Sequence, residues 1–249
     1  MRGYPDDGNP FVNVGQVSSD NLELAARLGS VARYVRTGNM LYQQQFIDGN
    51  DIWRLTAGTG CTVTVSGAKP YERSNALKLS KPLGAAGGAS FDGYIPLTDT
   101  TKIGVEIMLA AITATPVSDV CEPTFTLSIS DSGAIYDNRL FLDLQNNHIS
   151  FNDYSSGSLV KRDILTNMAS MASGFNFTIY NYLKFIFDLE NGIPDRLFIN
   201  DYLVNMRSYR CNHYHSGSNS YVYLAVGNLT TNVALDLYAT NIGITINEP

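Results

Sequence analysis

An all-β sandwich of two sheets packed face to face is the fold class the sequence predicts, from three observations. Apolar and polar residues alternate in run after run, turn residues separate the runs, and the pattern continues from about Leu41 to the C-terminus. In the segment Lys102–Leu109, the side chains of Ile103, Val105, Ile107 and Leu109 share one face. Phe125, Leu127 and Ile129 repeat the pattern, as do Val233, Leu235 and Leu237, then Ile242, Ile244 and Ile246. A period of two sends successive side chains to opposite faces of a strand, so each run buries one face. Many such strands in series make a sandwich.

Strands are expected over Leu41–Asp48, Ile52–Leu55, Cys61–Ser66, Ala76–Ser80, Ser90–Ile95, Lys102–Ile112 and Thr124–Ser130. They continue over Ile135–Leu144, His148–Asn152, Leu159–Ile164, Tyr182–Leu189, Arg196–Ile199, Tyr221–Val226 and Val233–Ile246. Turn-competent residues lie between them, including Asp131–Gly133, Asn146–Asn147 and Asn191–Gly192, the last two favouring tight hairpins.

The first forty residues differ. Residues 1–17 are rich in Gly, Pro, Asn and Asp and show no periodicity, which predicts an extended arm. Asp20 and Glu23 have capping-box spacing and open a short helix with Leu22, Ala25 and Ala26 on one side. That apolar face is too small to stand alone and must dock, on its own sandwich or, the preferred reading, on a neighbouring subunit. Acids and bases balance within the arm, so the body carries the whole formal charge of -6. Arg27, Arg33 and Arg36 cluster toward the arm's end. With Leu22 they are the expected subunit contacts, meeting acidic or polar ground. The expected division is an arm over 1–39 and a single sandwich over 40–249. One core is reasonable at 249 residues, since sandwiches of roughly 200–250 residues are commonly one domain.

Composition narrows the function. An acidic chain with pI near 5.0 lacks the basic stripe that phosphate-backbone binding needs, so no nucleic acid is expected. No run of eighteen apolar residues is present, so no membrane span is expected. No apolar stretch of signal-peptide type follows Met1, so no conventional signal peptide is expected. Cys61, Cys121 and Cys211 are few, scattered and odd in number, which favours buried free thiols over a disulfide framework. The sequons at Asn176 and Asn228 carry weight only in a secreted chain.

A family resemblance rests on particular segments. Gln45–Asp48 with Trp53, then Asn75–Leu79, then Ile103–Leu109 resemble the concanavalin A-like jelly roll. Leu183–Asp188 followed by Arg196–Asp201 resembles the late hairpin of laminin-G-like sandwiches, and Val233–Ile246 their closing strand. A helix and turn ahead of such a sandwich is similar to structural and decoration proteins of tailed-phage virions. The resemblance covers about residues 40–249 and implies an antiparallel jelly roll. Its relatives include glycan-binding modules, glycosidases and capsid proteins, so fold does not decide function.

Candidate chemistry is sparse. Glycoside hydrolysis needs two carboxylates flanking the scissile bond, which sandwich glycosidases typically carry as Glu-x-Asp-x-x-Glu. No glutamate of this chain lies in that pattern, and Glu106 reads as a lone solvent-facing strand residue. Cys211, His213 and His215 share one face if extended, yet a closed zinc site needs four ligands. A structural calcium, the other cofactor considered, would use Asp48 and Asp51 after the first strand, or Asp236 in the last. Tyr209, Tyr214, Tyr221 and Tyr223 crowd one region with Asn212 and Asn219, material for glycan contact through Tyr209, Tyr214 and Tyr221. Tyrosine equally suits a subunit contact. The expected function is a non-enzymatic, self-associating structural protein of a virion or extracellular surface array, its arm touching neighbours. A carbohydrate-binding module is the alternative.

Overall fold

The computed structural model describes residues 39–44, 46, 52–71, 74–97, 100–113, 122–131, 133–144, 148–166, 180–200, 202–215, 219–228 and 234–249. The expected arm and helix, with Leu22, Arg27, Arg33 and Arg36, lie outside these residues, as do Asp48, Asp51 and Cys121. Every regular element among the described residues is a strand. In chain order these are β1 (Asn39–Gln44), β2 (Arg54–Ala57), β3 (Thr62–Tyr71), β4 (Ser74–Lys81), β5 (Ala89–Pro96), β6 (Lys102–Thr113), β7 (Thr124–Asp131) and β8 (Ala134–Asp143). Then come β9 (His148–Asp153), β10 (Val160–Leu165), β11 (Asn181–Asp188), β12 (Ile193–Ile199), β13 (Tyr202–Asn205), β14 (Asn212–His215), β15 (Tyr221–Asn228) and β16 (Leu235–Ile246).

The strands form two antiparallel sheets. One runs β13-β12-β11-β6-β16-β4-β3, with β1 pairing the second half of β16. The other runs β10-β9-β8-β7-β15-β5-β2, with β14 pairing the first half of β8. The expected faces meet between them. Ile103, Val105, Ile107 and Leu109 share one core with Phe125, Leu127 and Ile129 and with Leu235, Leu237, Ile242 and Ile244. In β16 the inward residues are odd-numbered up to Ala239 and even-numbered from Ile242. The phase change falls at Asn241 (φ 50°), where the register with β6 breaks between Thr240 and Gly243. This is a bulge that restores core packing after one extra residue.

The alternation did not reveal β13 and β14. Each has four residues with largely exposed side chains and takes its strand form from pairing with β12 and β8.

Glu106 corrects the expectation of a solvent-facing side chain. It is 1% exposed and accepts a hydrogen bond from the Tyr182 hydroxyl at 2.8 Å. Its neighbour in register, Lys184, pairs with Glu248 at 2.7 Å with both side chains fully buried. The outer side of β6, β11 and β16 is thus buried as well, and charge is tolerated there because it is paired. Gly243 makes room for it: a Cβ there would stand 2.6 Å from Glu106 Oε1.

Candidate functional site

The outer face of the β15 sheet carries the groove. Strand register lays its residues out in rows. Across β5, β15, β7, β8 and β14 one row reads Tyr94, Tyr223, Ser128, Asp137 and Asn212. The next, across β2, β5, β15, β7 and β8, reads Arg54, Asp92, Ala225, Thr126 and Arg139. The central positions are small and the flanking ones large, so the face is hollowed along its middle strands. The hollow has a volume of about 560 Å³, within the roughly 300–1,000 Å³ typical of ligand sites.

Aromatic rings wall one end. Tyr94, 56% exposed, has its ring 4.7 Å from that of Tyr223 at 44° and 5.3 Å from that of Tyr221 at 71°. Tyr214 stands across the groove on β14. Burial, the nearby Asp137 charge and a hydrogen bond to Asp137 together push the Tyr214 phenol above its ordinary value. Burial, Asp92 and Tyr94 do the same for Tyr223, against the opposing pull of Arg54 and Arg139. Both hydroxyls therefore stay protonated at neutral pH.

The acids are engaged from within. Asp92 receives Arg54 through two contacts, Nε to Oδ1 at 3.2 Å and Nη2 to Oδ2 at 2.9 Å. Asp137 accepts from the Ser128 hydroxyl. The two carboxylates are carried on β5 and β8, strands whose backbones lie three strand spacings or about 14 Å apart. Arg139 lines the groove, is exposed, and forms no ion pair among the described residues.

Of the residues expected at a glycan site, Tyr214 and Tyr221 line this groove. Tyr209 is not among the residues that line it and packs edge-on against the core ring of Phe151 at 5.8 Å. Tyr94 and Arg139 were missed: neither stands out along the chain, and only pairing of distant strands brings them to the tyrosines. Of the candidate calcium ligands, Asp236 alone is among the described residues. Asp236 pairs with Lys78 at 2.8 Å and accepts from Ser80 at 2.6 Å, on the other sheet. Cys211 is buried, its thiol pushed up to about 12 by desolvation, while His213 stacks on Tyr136 with centroids 5.0 Å apart. Among the described residues, no group of three or more His, Cys, Asp and Glu is placed to hold a metal ion. Cys61 and Cys211 are free and buried.

No protein-family model and no curated protein matches the chain. Solved structures do. An endo-beta-1,4-glucuronan lyase from the fungus Trichoderma reesei superposes with a TM-score of 0.58 at 8% identity, over 84% of this chain and 96% of that one. A carbohydrate esterase from the Shiga toxin-encoding bacteriophage phi24B gives 0.52 at 11% identity, over 85% and 100%. Lectin I-B4 from Griffonia simplicifolia, in its metal-free form, gives 0.51 at 12% identity, over 83% and 98%. At such identities the likeness concerns the fold, and the chain has the concanavalin A-like jelly-roll β-sandwich fold.

Proposed function

We propose that this protein binds a carbohydrate chain in the groove on the outer face of the β15 sheet, without converting it chemically. The observation that carries the reading is the groove itself, a floor of small residues between tyrosine rings and polar side chains. Apolar ring faces beside a few fixed polar groups suit a ligand that is itself part apolar and part hydroxylated. A glucuronan lyase, a carbohydrate esterase and a lectin built on the same fold support a glycan as the ligand.

Non-catalytic binding is favoured by the charges. Asp92 and Asp137 are carried on strands about 14 Å apart, a wider spacing than the roughly 5–10 Å between paired glycosidase carboxylates. Both are also occupied, by Arg54 and by Ser128. Phenols held above their ordinary values make poor general bases at neutral pH. A glycan array followed by titration of the best ligand tests the reading. Binding that falls at least tenfold in Tyr223→Ala is expected. An array without hits, or a variant that binds as well as the parent, overturns it.

A second reading, a self-associating component of a virion or surface array fastened by residues 1–39, is favoured by the phage origin of one similar structure. Its test is removal of residues 1–38: loss of oligomers on size-exclusion chromatography supports it, and an unchanged elution opposes it.

A further inference from the structure

Asp92, Asp137 and Arg139 line the groove and Arg54 stands beside Asp92; three of these four charged side chains are answered within the protein. Arg54 and Asp92 form a two-pronged pair, while Asp137 holds the Ser128 hydroxyl and a hydrogen bond with Tyr214. Arg139 is exposed and alone among the four has neither a hydrogen-bond nor an ion-pair partner among the described residues, whereas Arg54, exposed as well, is held by Asp92. Thr126 lies beside it in register and Ala225 beyond that, so nothing bulky separates it from the centre of the groove.

We infer that the groove selects a sugar chain bearing carboxylates and that Arg139 reads them; the inference rests on the glycan reading above. A guanidinium presents its donors as a rigid planar fork that matches the two oxygens of a carboxylate. The tyrosine wall accounts for a sugar ring and leaves the cation unexplained, whereas an acidic sugar uses both. The setting also argues for a local contact over general attraction. The protein's formal charge is -6, so its overall field repels a polyanion. Beyond about 10 Å that field is screened at 0.1 M salt. An acidic glycan gains here from one placed guanidinium inside the groove.

The experiment pairs each acidic ligand with its carboxyl-reduced form. Tetramers of β-1,4-linked glucuronate and mannuronate are titrated calorimetrically against the full chain, beside cellotetraose and mannotetraose, for the parent and Arg139→Gln. At least one acidic tetramer is expected to bind tenfold or more tightly than its neutral form. In Arg139→Gln that preference vanishes while neutral affinity stays within about twofold, and Arg139→Lys restores it in part. Because Arg139 is exposed, both variants are expected to melt as the parent does. Equal affinity for acidic and neutral tetramers overturns the inference and leaves the glycan reading standing. A preference that survives Arg139→Gln removes Arg139 from the role. Tighter binding of a sulfated cellotetraose than of either uronate overturns the carboxylate assignment. No binding of any tetramer overturns this inference and the glycan reading together.

Discussion

Gly93 on β5 lies directly against the ring of Trp53: a Cβ at this glycine would stand 2.7 Å from Trp53 Cε3 and 2.9 Å from Cζ3. Gly93 faces the core between Phe91 and Ile95, and the indole fills the space its missing side chain leaves. Trp53 in turn meets Phe91 edge-on, with centroids 5.3 Å apart. Gly93→Ala is expected to force the buried indole aside and to cost about 1–3 kcal/mol, as overpacking does. Urea unfolding measures it, and a variant as stable as the parent shows that the indole has room to move.

Trp53 and its surroundings also show what alternation can and cannot reveal. The core faces of β6 and β7 were legible because each offers an unbroken period of two, and β16 offers one on either side of its bulge, the phase change visible in the switch from Leu235 and Leu237 to Ile242 and Ile244. Glu106 was misread because alternation separates two faces without saying that both are buried. Its setting depends on Tyr182 and Lys184, far along the chain. The candidate site was half legible. Tyr214 and Tyr221 lie in an aromatic cluster of sequence, but Tyr94 and Arg139 reach them only through the register of β5, β15, β7 and β8.

The buried pair of Lys184 and Glu248 yields a second prediction. Both side chains are fully buried, and Thr245 donates to Glu248 as well. Removing one partner of such a pair strands the other charge, at a cost of about 3–5 kcal/mol. Lys184→Met is therefore expected to lower stability by that amount in urea unfolding. Lys184→Met combined with Glu248→Leu is expected to recover a large part of it. If the double variant is as unstable as the single or worse, the stranded carboxylate is not the source of the loss.

Acid should weaken the fold through Asp195 on β12. Its carboxylate receives Arg207, Arg196 at 3.1 Å and Lys102 at 3.7 Å, with its own side chain fully buried. Burial opposes ionisation, but the Arg207 hydrogen bond and the three cations outweigh it and hold the pKa below the ordinary 3.8. The unfolded chain then binds the proton more tightly than the folded one, so stability is lost as protons are added. The contribution is complete above the unfolded value, about pH 3.9, and disappears as pH falls through the lower folded value. Asp195→Asn is expected to lower Tm at pH 6, and its gap from the parent should narrow steadily below about pH 4. A gap that stays constant with pH assigns the effect to packing.

Tyr94 separates ligand binding from folding. It is 56% exposed, yet its ring lies within 5.3 Å of both Tyr221 and Tyr223 at the groove's end. A ring so exposed contributes little core burial, and its removal is expected to change stability by no more than about 0.5 kcal/mol. Tyr94 lines the groove and is exposed, so under the glycan reading Tyr94→Ala is expected to weaken binding of the best array ligand about tenfold, near 1.4 kcal/mol. Tyr94→Phe keeps the ring and loses only the hydroxyl, so most of the affinity should remain. Thermal melts and titration calorimetry on the same two variants decide the matter. Affinity untouched in Tyr94→Ala, with a lowered Tm, would make the tyrosine wall a packing feature and leave the groove without its stacking face.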